Sequence, residues 1–122
     1  MEAIRVVIAD DNEIVRTGLT VVLETMDQVE LVGEAQNGLE AVDLCIELAP
    51  DVVLMDIVMP QMDGIEATQV IHLFNPGIKI VVFSALPRPS LVQHALQAGA
   101  SRFIYKYGEV AGFANVLRSV FP

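Results

Sequence analysis

Cysteine is nearly absent from this chain: Cys45 is the only one. A lone thiol builds no disulfide framework, and its isolation fits a reducing compartment. Long apolar runs are also missing, since none approaches the roughly 20 residues that cross a bilayer. The opening "MEAIRVVIADD" lacks the basic start of a secretory signal, and its acids come too early for one. Cytoplasmic residence without a membrane segment is the expectation. Basic side chains are few: seven Lys and Arg stand against sixteen Asp and Glu, a formal net charge of −9. That balance repels nucleic acid and anionic lipid, so direct nucleic-acid binding by this domain is not expected. Internal repeats and low-complexity segments are lacking too.

What the chain has is apolar residues in regular alternation. Hydrophobic side chains make up 53% of its 122 residues, which excludes disorder and suffices for one packed domain over residues 1–122. Strands are predicted over Ala3–Ala9, Val29–Ala35, Asp51–Met55, Ile78–Ser84 and Ser101–Tyr105. Helices are predicted over Glu13–Met26, Asn37–Leu48, Asp63–Phe74, Pro89–Ala98 and Val110–Phe121. In the first helix Ile14, Leu19, Val22 and Leu23 recur at helical spacing. Asn37 with Glu40 three residues on reads as a capping box, Pro50 stops that helix, and Gly99 reads as the cap that ends the fourth. "DVVLM" is continuously apolar, as expected of a strand covered on both faces. Five βα units in series predict a doubly wound α/β fold: a five-stranded parallel sheet between two helical layers, with right-handed crossovers. Ligands of such sheets bind beyond the carboxyl ends of the strands, where the strand order reverses.

The residues at those ends are Asp10 and Asp11, then Asp56, Ser84 and Lys106. Any one acid there is as readily a helix cap or a solvated group. Five polar residues at four strand ends, converging on one edge, are a different matter. Three adjacent carboxylates repel and raise one another's pKa, unless cations compensate them. Lys106 is one such cation. A bound Mg²⁺ is the other expectation, because it takes one or two carboxylates and keeps positions for water and phosphate oxygens. A carboxylate can also act as a nucleophile and form an acyl phosphate. Phosphoryl transfer then needs mainly positioning and charge neutralisation. Asp56, on the central strand with acids to one side and Ser84 and Lys106 to the other, is the best candidate nucleophile.

Four stretches, "VVIADDNEIVRTGL", "PDVVLMDIVMPQMDGIEAT", "VVFSA" and "QAGASRFIYK", together resemble the receiver domain of bacterial two-component response regulators, over essentially the whole chain. "MDGIEAT" and "AGASRFIYK" are most similar to the NarL/FixJ-type subfamily. The resemblance implies a flavodoxin-like (βα)5 fold with strand order 2-1-3-4-5. It implies Asp56 as phosphoacceptor from a sensor histidine kinase. Asp10, Asp11, Asp56 and the backbone carbonyl of Val58 are implied as the Mg²⁺ site. Ser84 is implied as the switch hydroxyl, Lys106 as the phosphate-pairing lysine and Phe103 as the switch aromatic. The face made by the fourth helix, fifth strand and fifth helix would then change its partner contacts. A homodimer or a C-terminal output domain would use that face or the one made by the first and fifth helices. Such a domain catalyses only its own phosphorylation and dephosphorylation. Regulators of this type usually continue into a helix-turn-helix DNA-binding domain that controls transcription. The sequence ends at Pro122, so an excised domain and a single-domain relay or docking module both stay open.

Departures from the family pattern carry expectations of their own. Tyr107 stands where many receivers have proline after the lysine, and a cis non-proline bond costs roughly 3 kcal/mol, so Lys106–Tyr107 is expected to be trans. Val58 and Leu86 follow Asp56 and Ser84 by two residues; neither can orient an attacking water, which predicts a long-lived phosphoryl group. Pro87 and Pro89 either stiffen the loop after Ser84 or simply start the fourth helix well. His72 and His94 lack partners for a metal site and read as solvated helix surface. Cys45, with Ala41 and Leu48, reads as core, and Met55, Met59 and Met62 as gap fillers. Phe113, Val116, Leu117 and Val120 form a stripe that packs partly on the sheet; any surplus, with Leu91 or Val92, would be a docking face. Three rivals are weaker. An aspartyl-phosphate phosphatase wants a second acid where Val58 stands. "DDNE" would repel the phosphate of a flavin. A docking-only domain would lack one of the five edge residues.

Overall fold

The computed structural model describes residues 2–85 and 88–122, so Leu86 and Pro87 lie outside the described residues. Strands and helices alternate as β1 (Ile4–Ala9), α1 (Glu13–Glu24), β2 (Val29–Ala35), α2 (Gly38–Leu48), β3 (Val52–Asp56), α3 (Gly64–Phe74), β4 (Lys79–Ser84), α4 (Pro89–Ala98), β5 (Arg102–Tyr105) and α5 (Val110–Ser119). The five strands form one parallel sheet in the order β2-β1-β3-β4-β5, as expected.

Side-chain alternation along the strands assigns each residue to a layer. Val7, Ala9, Val53, Met55, Ile80 and Val82 face one core, completed by Ala41 and Cys45 of α2, Ala67 and Ile71 of α3, and Ala95 of α4. Val6, Ile8, Val52, Leu54, Val81 and Phe83 face the other, completed by Leu23 of α1 and Ala114 and Leu117 of α5. Every residue of β3 is buried, which explains its uninterrupted apolar run. Burying a side chain such as Leu54 contributes roughly 1.5–3 kcal/mol, so this strand holds its carboxyl end firmly. The strand order reverses between β1 and β3, and their carboxyl ends lie side by side, with Ala9 opposite Met55.

Local chemistry starts and stops the helices. Asn12 accepts from Ile14 N at 2.9 Å and Val15 N at 3.3 Å, capping α1. Asn37 accepts from Glu40 N at 2.9 Å, and Glu40 reaches back to Gln36 N at 2.9 Å, so the box closes one residue earlier than the standard pattern. Asp63 caps α3 through Glu66 N at 2.8 Å. Left-handed Ala49 ends α2 just before Pro50, and Gly99 ends α4 as expected. Pro89 occupies the first turn of α4, which favours the helix-start reading of that proline.

Some expectations are corrected. Helices α1 and α5 stop at Glu24 and Ser119, short of Met26 and Phe121, because tight turns take over the last backbone bonds. Ile14 is 82% exposed, so the inward face of α1 is carried by Val15, Leu19 and Leu23. His72 is half-buried against Gly99 rather than solvated, whereas His94 is exposed. Cys45, Met55 and Met59 are core as read, with Met62 packed against them.

The loop between β3 and α3 is held by close backbone approach. A methyl group on Gly64 would stand 1.9 Å from the Asp56 carbonyl oxygen, and one on Gly38 would stand 2.2 Å from that of Met62. Gly64 N also donates to Ile57 O at 2.8 Å. Overpacking here cannot be relieved by rotating a side chain, so Gly64→Ala is expected to cost about 1–3 kcal/mol or more in urea unfolding. Gly18, exposed on α1 with nothing within 4 Å, should show the opposite sign. Gly18→Ala is expected to gain up to about 1 kcal/mol. A Gly64→Ala protein as stable as wild type would mean that α3 can draw back from β3.

Candidate functional site

Four of the five strands, β1, β3, β4 and β5, deliver polar groups to the same edge. Asp10 follows β1, and its N–H donates to Ala35 O of β2 at 3.0 Å, which keeps the chain extended past the strand. Asp56 and Ser84 are the last residues of β3 and β4. Lys106 follows β5, where its N–H donates to Ser84 O at 2.8 Å and prolongs the ladder. Sheet pairing thus sets the spacing of these groups, and the paired strands leave them little freedom.

Lys106 is the centre of the arrangement. Its Nζ lies 2.9 Å from Asp10 Oδ2 and 3.1 Å from Asp56 Oδ2, and 5.8 Å above the Phe83 ring. Asp10 is fully buried, while Asp56 and Ser84 are each 3% exposed. Asp10 Oδ1 accepts from Asn12 N at 2.8 Å. Its Oδ2 meets Lys106 as an ion pair without aligned hydrogen-bond geometry, and has no other donor among the described residues. Asp11 is exposed, yet one of its carboxylate oxygens lies within 4.8 Å of those of Asp10 and Asp56. A cavity of about 300 Å³ opens over the site, lined by Asp11, Asp56, Val58, Ser84 and Lys106 among others.

The electrostatics follow from this geometry. Burial first, then the Asp10 charge, pushes the Asp56 carboxyl up to about 6, against the pull of Lys106 and the Val58 backbone N–H. Burial opposes the Lys106 charge, but its contacts with Asp10 and Asp56 outweigh that, and its pKa lies above the usual lysine value. At neutral pH Asp56 is therefore mostly ionised beside the Lys106 ammonium. The Cys45 thiol, by contrast, is pushed up to about 12 by burial and is chemically quiet.

The structure brings together Asp10, Asp11, Asp56, Ser84 and Lys106, the five residues picked out at the strand ends. Val58 lies at the mouth with its side chain 73% exposed. Phe103 sits further back on β5, partly buried against the core formed with α2, α3 and α4. The Lys106–Tyr107 bond is trans, as expected. Other residues at the site carried no strong sequence signal. Arg16 Nη1 donates to Asp10 O at 2.7 Å, and its Nε pairs with Glu34 at 3.3 Å. Phe83 lies under Lys106. Asn12 braces Asp10, and only its position just before a helix hinted at a cap.

Comparison with known proteins agrees with this geometry. Residues 6–117 match the family model of the response regulator receiver domain. The transcriptional regulatory protein LiaR of Bacillus subtilis is 43% identical over 116 residues, covering 95% of this chain and 55% of LiaR. The signal receiver domain of the putative response regulator NarL from Mycobacterium tuberculosis superposes with a TM-score of 0.91 at 33% identity, covering 98% of both chains. A chain of the CheX–CheY–BeF3–Mg²⁺ complex from Borrelia burgdorferi gives a TM-score of 0.92 at 30% identity, over 98% of this chain and 90% of that one. The chain belongs to the receiver domains of two-component response regulators. It spans about half the length of the curated relatives it matches. No helix among the described residues is long and apolar enough to cross a membrane.

The raised pKa of Asp56 has a measurable consequence. An acid whose folded pKa exceeds its unfolded value stabilises the fold while protonated. That contribution is full below 3.8 and is lost as the pH rises through about 6. With divalent metal chelated, Asp56→Asn should match wild type in urea near pH 4. It should become the more stable protein by roughly 1–3 kcal/mol above pH 6. A difference that stays flat across this range would show that burial does not penalise the Asp56 charge.

Proposed function

We propose that Asp56 is the phosphoacceptor of this receiver and that a histidine kinase is its donor. The observation that carries this reading is the buried Asp56 carboxylate, paired with Lys106 and opening on a cavity that Ser84 also lines. In the transfer an Asp56 carboxylate oxygen forms a bond to phosphorus. The phosphorus–nitrogen bond of the donor phosphohistidine breaks, and its electron pair returns to the imidazole. Asp56 is mostly ionised at neutral pH and so available to attack. Lys106 keeps its proton and can turn from the carboxylates to a phosphoryl oxygen. Ser84 is placed to take another.

Mg²⁺ fits the acid cluster. Three carboxylates offer hard oxygens within 4.8 Å of one another, and among the described residues the buried Asp10 Oδ2 is met only by Lys106. Asp10, Asp11, Asp56 and the Val58 carbonyl would hold the ion, which would supply charge neutralisation for the transferred group. The Borrelia relative was crystallised with BeF3 and Mg²⁺, which supports the same assignment here.

Phosphorylation at Asp56 would draw on Ser84 and Phe103 and shift the face made by α4, β5 and α5 between two populations. A homodimer, or an output domain joined at the C-terminal side, would read that face or the one made by α1 and α5. The relatives' greater length and the name of LiaR, a transcriptional regulatory protein, favour an output domain that controls transcription; a helix-turn-helix domain working in the cytoplasm is our reading of it. The domain itself turns over no substrate beyond its own phosphoryl group.

Acetyl phosphate with Mg²⁺, followed by intact mass, tests the reading. One phosphoryl mass should be gained by wild type and none by Asp56→Asn. Equal labelling of both proteins, or no labelling of wild type, would overturn it. Val58 offers no hydrogen bond to an attacking water, so the phosphoryl group should be long-lived and Val58→Asn should shorten its lifetime severalfold. Rapid loss from wild type, unchanged by Val58→Asn, would contradict this.

A further inference from the structure

Arg16 is a largely covered cation that the chemistry above does not use. Its side chain is 11% exposed, and its planar fork grips two elements at once. Nη1 donates to the Asp10 backbone carbonyl at 2.7 Å, and Nε stands 3.3 Å from Glu34 Oε1 on β2. Other bonds fix the rest of Asp10. Its N–H donates to Ala35 O at 3.0 Å, and its Oδ1 accepts from Asn12 N at 2.8 Å.

Asp11 is in a different position. It is exposed, and no hydrogen bond or ion pair holds its carboxylate among the described residues. Its aim toward Asp10 and Asp56 depends on the plane of the Asp10–Asp11 peptide. The carbonyl of that peptide is the one that Arg16 holds. The structure assigns Arg16 as the positioning residue of the acid cluster: by fixing the Asp10–Asp11 peptide, it keeps the Asp11 carboxylate where a divalent cation can use it. This rests on the Mg²⁺ reading above.

The role is geometric rather than electrostatic. Glu34 already balances the Arg16 charge, and an unbalanced positive charge beside the site would repel a cation. Lysine keeps the charge but lacks the planar fork, so it cannot reproduce the two-nitrogen grip of Nη1 on Asp10 O and Nε on Glu34. Arg16→Lys therefore separates position from charge. Arg5 supplies the control. It also ties β1 to a distant segment, but near the other end of the strand and away from the acids, with Nη1 at 2.5 Å from Leu48 O and 3.2 Å from Ala49 O.

The test is calorimetric titration of the 122-residue chain with magnesium chloride alone, for wild type, Arg16→Lys and Arg5→Lys. Arg16→Lys should weaken Mg²⁺ binding roughly tenfold, as loss of a group that orients a ligand does. Arg5→Lys should leave it unchanged even where it costs similar stability in urea. A wild-type Kd in Arg16→Lys, equal weakening in both variants, or no Mg²⁺ binding by wild type would each overturn the assignment. Should Arg16→Lys fail to fold, wild type decides by nuclear magnetic resonance. Mg²⁺ should then shift the Arg16 side-chain N–H together with the Asp11 amide, and an Arg16 signal that stays still while Asp11 moves overturns the assignment. Wild type that binds Mg²⁺ but gains no phosphoryl mass would sink the phosphoacceptor reading alone, leaving Arg16 to be judged by the Kd comparison.

Discussion

The ammonium of Lys106, shared between Asp10 and Asp56, is the contact on which the arrangement of this edge depends. It joins the ends of β1, β3 and β5 in a region where burial would otherwise forbid two adjacent carboxylates. Charges this close interact by a few kcal/mol even at the effective dielectric of a protein surface. Removing Lys106 would leave Asp10 and Asp56 buried side by side without their shared cation, which is far more costly than never having had the pair. Lys106 is therefore as much a structural residue as a chemical one. The backbone bond from its N–H to Ser84 O and the Phe83 ring beneath it keep the ammonium from swinging out to solvent.

The two cores supply the rigidity that this contact needs. Alternation along β4 places Val82 and Ile80 against α2, α3 and α4, and Phe83 and Val81 against α1 and α5. The same rule places Phe103 in the first layer and Ile104 in the second. A movement of Phe103 is thus felt on the side of α4, while the Lys106–Phe83 contact reports to the side of α5. The site stands above both layers, and the Phe83 ring under Lys106 joins it to the layer of α1 and α5.

Most of the fold was legible in the sequence because two simple periods encode it. The run "DVVLM" and the helical stripes locate the strands, and the strand ends locate Asp10, Asp56, Ser84 and Lys106. What could not be read depended on distances between segments far apart in the chain. Arg16 is an unremarkable polar residue on α1 until the fold brings Glu34 and the Asp10 carbonyl to its fork. Gly64 reads as an ordinary early residue of the third helix until the backbone of Asp56 is found against it. Ile14 fits the apolar stripe of α1 by spacing, but it lies in the first turn, beyond the edge of the sheet, and finds nothing to cover it. Helix ends were misjudged by two residues because the last turn is settled by local backbone bonds that side-chain periodicity does not record.

The site is deliberately out of balance. Three carboxylates face one ammonium, the pKa of Asp56 is raised, and one oxygen of Asp10 lacks an aligned donor. Such a cluster lowers the stability of the domain by itself, and the apolar strands beneath it must offset the loss. The imbalance has a use on the proposed reading. A divalent cation finds acids whose repulsion it relieves, so part of its affinity comes from strain already present. Adding a phosphoryl group to Asp56 removes one carboxylate from the cluster and adds new acceptor oxygens. These compete for Lys106, the same ammonium that holds β1, β3 and β5 together. The group that registers phosphorylation is then the group that ties the sheet edge, so a change in one necessarily becomes a change in the other.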